Sequence, residues 1–186
     1  MSLHLRQATS ADAPRLHELI CLSVRGLMPQ AYTPSQLEAA LGNWLGLDTQ
    51  LIADGTYFVV EDVDENNRTA LVGCGGWSKR KTQYGSDHRA GREDALLNPA
   101  REAAKIRAFF VHPDWARRGI GRMLLEACEK AAADAGFTRL EMGATLTGVP
   151  LYARFGYVAG ERRDLPLKDQ EPLAIVMMSK SLPQQP

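Results

Sequence analysis

The sequence predicts an α/β (α+β) fold: a mixed, mostly antiparallel central sheet of about six to seven strands flanked by helices. Two observations carry this. Apolar residues switch between a period near two and a period near 3.6 in the order β-α-α-β-β-(insert)-β-α-β-α-β-β. At 186 residues the chain suits one core and is short for two, so residues 1–182 are expected to form a single domain, with 183–186 as a frayed tail.

Leu3 to Ala8 alternates apolar with polar residues and reads as the first strand. Thr9-Ser10-Ala11-Asp12 is a cap-like run followed by Pro14, and Leu16, Leu19, Ile20, Val24 and Leu27 keep helical spacing until Pro29. Thr33-Pro34-Ser35-Gln36 repeats the start signal, with Leu37, Leu41, Trp44 and Leu45 as the expected buried stripe. Tyr57–Val60 and Leu71–Trp77 are β-rich runs joined by Asp64-Glu65-Asn66-Asn67, an expected antiparallel pair.

Ile106 to His112 is a further strand. The polar stretch before it, residues 78–105, is long for a connection inside one domain and is either a functional lid or a solvated loop. Its second half, Glu93 to Lys105, is expected to form a short helix. Ile120, Met123, Leu124, Ala127, Cys128 and Ala131 mark one face of the next helix, which Gly136 closes. Arg139–Met142 is a strand, Val149–Phe155 a short helix, and Tyr157 onward with Leu173–Met178 the closing strands.

Lys plus Arg number 22 and so do Asp plus Glu, so the balance of charge points to neither a nucleic acid nor a membrane surface as partner. Cys21, Cys74 and Cys128 are odd in number and sit among apolar residues, which fits buried free thiols in a reducing compartment. No basic-then-apolar leader and no long apolar span stands out, so a cytoplasmic location is expected.

The chemistry concentrates at Arg117-Arg118-Gly119-Ile120-Gly121-Arg122, where a strand runs into a helix. A helix start leaves amide N–H groups without partners and carries partial positive charge, so it draws phosphate. Gly119 and Gly121 allow close approach of an anion, and three arginines add charge-assisted bonds. The dinucleotide fingerprint is excluded because position 124 is Leu. A P-loop is excluded because no Gly-Lys-Ser/Thr follows.

Phe109-Phe110-Val111-His112-Pro113-Asp114-Trp115-Ala116 together with that turn resembles the acetyl-CoA motif of the GNAT superfamily of N-acetyltransferases. Pro150-Leu151-Tyr152-Ala153-Arg154-Phe155-Gly156-Tyr157, about thirty residues on, is similar to the family's second signature. The resemblance implies a sheet with a splayed strand pair and a donor, acetyl-CoA, with no metal. It implies that Phe109, Phe110 and Val111 pair with the pantetheine arm, and that the amides of Arg117, Arg118, Gly119, Ile120, Gly121 and Arg122 hold the pyrophosphate. Tyr152 would be the catalytic acid that protonates the departing thiolate.

The sequence departs from the family pattern at Ala116, where Gln or Arg is common, and at Thr147, where Asn is common. No carboxylate stands between Glu102 and Asp114, so the base is left to Glu141, His112 or a water chain. The insert, rich in Lys79, Arg80, Lys81, His88, Arg89 and Arg92, would fold over the acceptor side and select a substrate, one carrying a negative group among the options. The expected acceptor is a small-molecule amine. A protein lysine or amino terminus, a non-catalytic acyl-CoA-binding module and a purely structural domain stay open, and a homodimer is in keeping with the fold but has no residue-level support.

Overall fold

Whether an apolar run becomes a one-faced or a two-faced strand depends on how many helices cover it. In the computed structural model, which describes residues 2–183, the elements run β1 (Ser2–Gln7), α1 (Ala13–Leu27), α2 (Pro34–Ala40), α3 (Thr49–Ala53), β2 (Tyr57–Val63), β3 (Thr69–Ser78) and β4 (Ala104–Val111). They continue as α4 (Ile120–Asp134), β5 (Arg139–Thr145), α5 (Val149–Arg154), β6 (Val158–Leu167) and β7 (Gln170–Ser181). The tail expected from residue 183 lies, in its last three positions, outside the described residues.

The seven strands form one sheet in the order β1-β2-β3-β4-β5-β7-β6, antiparallel throughout except between β4 and β5. Every residue of β3 from Leu71 to Ser78 is buried, because both faces are covered. On one face Leu16, Leu19 and Ile20 of α1 and Leu37 of α2 pack with Val59, Cys74 and Phe110. On the other, Ile120 and Leu124 of α4 pack with Val60 and Val72, and Leu125 and Cys128 join Leu140 and Met178. Each fully buried leucine contributes about 2 kcal/mol. α4 can lie this close because position 73 is Gly: a Cβ there would stand 2.3 Å from Ile120 Cγ2.

β4 and β5 pair only at Ala104↔Leu140 and Lys105↔Glu141. Beyond that β4 stays with β3, β5 stays with β7, and the two open into a wedge. A bulge helps turn β4 aside: the register with β3 shifts between Cys74 and Gly76, and Ala108 takes φ of 55°. Tyr57, fully buried, donates its hydroxyl to Ala108 O at 2.9 Å and holds the bulge in place. Tyr32 fixes the other side: its hydroxyl donates to Ala174 O and accepts from Leu146 N, both at 2.7 Å.

Two expectations are corrected and one further element is found. The second helix stops at Ala40 instead of running to Leu45, because Gly42 takes φ of 80° and its amide turns back to Leu45 O. Leu45 is still buried. A short helix, α3, was not anticipated; Asp48 starts it by accepting from Gln50 N at 3.1 Å. Residues 93–105 form no helix. Leu97 N bonds Lys79 O, Thr82 N bonds Glu93 O, and Asn98 closes a single turn by accepting from Ala100 N, so the stretch folds back on itself as an irregular hairpin.

The thiols are unpaired as expected, with Cys74 and Cys128 buried and Cys21 only half-buried. Among the described residues no helix is long and apolar enough to cross a membrane.

Asp12 ties the first strand to the first helix. It accepts from Arg6 through both oxygens at 2.8 Å and from Thr9 N at 2.8 Å, while Arg6 also reaches Glu61 on β2. The Arg6 guanidinium holds the Asp12 carboxyl well below the usual range, burial opposing. A depressed carboxyl stabilises the fold above its unfolded value, near pH ~3.9, and that contribution is lost as pH falls through the folded value. Asp12→Asn should therefore cost about 2 kcal/mol at pH 7, at the low end for a pair because Arg6 is part-solvated, and the decline in Tm below pH ~5 should be shallower than in the parent. Circular dichroism melts across that range check it; parallel curves would remove the assignment.

Candidate active site

β4 ends at Val111 and the chain crosses a 3₁₀ turn, Pro113–Trp115, before α4. His112 starts the turn, its Nδ1 accepting from Asp114 N at 3.2 Å, and its ring meets Trp115 edge-on. Trp115 Nε1 donates to Asp62 Oδ2 at 3.0 Å, which moors the turn to β2. Arg117 then takes φ of 65° and Gly119 φ of 84°. Left-handed residues beside right-handed ones point successive N–H groups inward as an anion-binding concavity. Gly119 caps α4 with no side chain over the helix start, so the first amides of α4 stay open.

Of the three arginines, Arg122 is engaged by Glu126 at 2.7 Å and Arg118 lies over the Trp115 ring. The first turn of α4 touches α5: a Cβ on Gly121 would stand 3.0 Å from Leu151 Cδ2. The residues read from the sequence as pyrophosphate-binding thus sit next to the helix that carries Tyr152.

The wedge between β4 and β5 holds a cavity of about 90 Å³. Ile106 to Phe110 line one wall, Met142 to Thr145 the other, and Tyr152 closes it. Phe109 packs edge-on to Tyr152 with ring centroids 6.2 Å apart. The amide of His112 donates to Val72 O, so that of Val111 points away from β3, where Ser23 Oγ accepts it at 3.1 Å. Burial pushes the Tyr152 phenol up, with the Cys128 thiol adding to it. A phenol held above its ordinary value of ~10 stays protonated at neutral pH and can donate.

The cavity continues under the insert. Gln83, Tyr84 and Gly85 line it together with Trp44, Leu45 and Gly46. The insert is anchored rather than loose: Arg80 grips Asp54 with two bonds of 2.7 Å, Ser86 Oγ donates to Gly42 O at 2.6 Å, and Arg92 donates to Asp48 at 2.9 Å. Asp48, fully buried, also meets Arg107 Nη1 at 2.7 Å, and Arg107 Nη2 donates to Gly85 O at 2.7 Å. Burial works against the charge on Arg107 and Asp48 supports it.

Neither side-chain candidate for the base lies in the wedge. Glu141 pairs with Lys105 at the closed apex, where β4 and β5 meet, and its charge is already answered there. His112 faces the opposite end of β4, in the turn beside Trp115. Arg107 and Asp48, which shape the site, were not singled out from sequence. Asp48 carries a signal, since it precedes a helix-compatible run as a cap. Arg107 carries none, because its partner is 59 positions away in the chain.

Among the described residues no group of three or more His, Cys, Asp or Glu could hold a metal ion.

The Acetyltransferase (GNAT) family matches residues 22–157 of the chain. No curated protein sequence matches it. Among solved structures, a GCN5-related N-acetyltransferase from Rhodopseudomonas palustris is similar at 23% identity and a TM-score of 0.68, over 98% of this chain and 97% of that one. A GNAT superfamily phosphinothricin acetyltransferase from Sinorhizobium meliloti, in complex with AcCoA, is 20% identical with a TM-score of 0.63, over 98% and 89%. An N-acetyltransferase from Thermoplasma acidophilum, in complex with coenzyme A, is 13% identical with a TM-score of 0.63, over 97% and 99%. These likenesses bear on the fold, where the seven-stranded sheet and its splayed pair agree with the expectation. With the motif turn, the wedge and the family match over 22–157 in hand, the chain belongs to the GNAT acetyltransferase family.

Proposed function

We propose that the protein transfers the acetyl group of acetyl-CoA to a primary amine on a small molecule, by direct attack with both reactants bound. One observation carries the reading: the open amide cradle at Gly119 and the phenol of Tyr152 stand on neighbouring helices at the rim and the side of one wedge. The cradle fits a pyrophosphate because its helix start has no side-chain cap and two left-handed residues shape it. The edge of β4 beyond Lys105, free of any strand, fits an extended amide-bearing arm. Acetyl-CoA, when bound, supplies the activated acetyl group.

The chain's residues have three tasks. The walls Ile106–Phe110 and Met142–Thr145 align the amine with the thioester carbonyl, and positioning of this kind can supply several kcal/mol. Tyr152 donates its hydroxyl proton toward the sulfur as the C–N bond forms and the C–S bond breaks. The proton lost by the amine returns through water to the phenolate, so the sum is amine plus thioester to amide plus thiol. Among the described residues no Asp, Glu or His lines the cavity, so no carboxylate there pairs with an ammonium ion, and the nearby guanidinium of Arg107 disfavours one. The amine therefore reacts from its neutral form.

A small acceptor is favoured over a protein side chain because the insert closes the cavity with Gln83, Tyr84 and Gly85 against Trp44 and Gly46. Free thiol should appear from acetyl-CoA on adding members of an amine panel, and a panel wholly without release would end the reading. Tyr152→Phe should lower kcat by about 100-fold and leave the acetyl-CoA KM within about twofold; a fully active variant would end its role. Since burial holds the phenol protonated, kcat/KM should rise with pH as the amine deprotonates and show no falling limb below pH ~10. A pH profile that turns down near neutrality would contradict it.

A further inference from the structure

Beside the cavity several buried polar atoms have no hydrogen-bond partner: the donors Arg107 Nε, Gln83 Nε2 and Arg89 Nε, and the acceptor Asp48 Oδ2. Arg107 is 5% exposed, and its Nε has no partner even though both of its terminal nitrogens are engaged, by Asp48 and by Gly85 O. Gln83 Nε2, from the insert on the facing side, is likewise buried without a partner. A buried donor left unmade costs about 1–3 kcal/mol, so two beside one cavity call for a partner there.

The charge around them has one sign in excess. Arg89 lies over the rings of both Trp44 and Tyr84, 4.9 and 5.1 Å from their centroids, and its own Nε is also buried and unpartnered. Arg92 and Arg107 share the single buried carboxylate of Asp48. Of the other nearby acids, Asp94 stands 3.8 Å from Arg92 but is half in solvent, and Asp87, which accepts from Thr49, is exposed to water that screens its charge. Three guanidiniums against one buried carboxylate leave a net positive field, and low-dielectric surroundings strengthen it.

Resting on the transferase reading above, we propose that the acceptor carries a carboxylate close to its amine, that this group docks on Arg107 Nε and Gln83 Nε2, and that the enzyme acetylates amino-carboxylates in preference to simple amines. Two donors answer the two oxygens of a carboxylate. Charge-assisted bonds of this kind are the strong class. The same arrangement rejects acceptors that lack the anion, because they leave Arg107 Nε and Gln83 Nε2 desolvated and unpaired.

The test uses matched pairs: an α-amino acid and the amine that remains when its carboxylate is removed, for alanine, methionine and phenylalanine. With acetyl-CoA and a thiol-release assay, at least one amino acid should exceed its decarboxylated partner by about 100-fold in kcat/KM. Gln83→Leu should reduce that preference by about tenfold, chiefly through a higher KM for the amino acids. Arg107→Gln would remove the larger part but leaves Asp48 short of a partner and could unfold the chain, which is why Gln83 is the deciding position.

An activity-independent arm accompanies it. Melting of the full chain saturated with coenzyme A is followed with N-acetyl amino acids and with the N-acetyl amines that lack the carboxylate. Stabilisation by the acids alone, lost in Gln83→Leu, supports the anion site. Equal turnover within every pair, or no stabilisation by any acid, overturns it. Thiol release indifferent to the carboxylate overturns the anion site and leaves the transferase standing; stabilisation by the acids with no thiol release from any amine does the reverse.

Discussion

The arrangement depends on how little β4 and β5 share. Two residue pairs join them, Ala104↔Leu140 and Lys105↔Glu141, and the ion pair of Lys105 with Glu141 pins the apex. A longer parallel ladder would close the sheet and remove the site. A shorter one would split the sheet into two halves with separate cores. Each strand can leave the other because it keeps a full partner on its far side, β3 for β4 and β7 for β5. The bulge at Ala108, braced by Tyr57, turns β4 away, and Tyr32, in the same core cluster, holds the β5 end on the other side of the wedge.

Most elements were legible because their causes are local. Thr33-Pro34-Ser35-Gln36 starts a helix in any context, and the structure shows both halves of its capping box. Gly136 stops α4 at φ of 88°, as a left-handed residue does after a helix. The motif turn was legible for the same reason: open amides, glycines and a helix start are adjacent in sequence. The helix expected over residues 93–105 failed because partners outside the stretch decided. Residues 93–105 have helix-compatible composition, yet Leu97 is drawn into the second cluster and Thr82 and Lys79 claim the backbone, so a hairpin wins.

The cavity under the insert was the least legible part. Glu141 had the right chemistry at the wrong depth: its register places it opposite Lys105, where pairing consumes it. Arg107 looked like one more charge on a strand. Its meaning comes from Asp48 across the fold, from Gly85 of the insert and from the absence of any acid on the cavity wall. Such a residue is visible only once burial is known, because an exposed arginine with the same neighbours in sequence would say nothing about a ligand.

The sheet also has to end somewhere, and β6 is one of its two margins. Seven of its first residues are exposed in succession, with Val158 the most open large apolar side chain. A bare edge invites another strand, which is how folded proteins begin to aggregate. Here Glu161 pairs with Arg163 and Arg162 with Asp164 along the strand itself. An incoming strand would have to bury four charges already satisfied in water, so the margin discourages fibre-like growth without a covering helix.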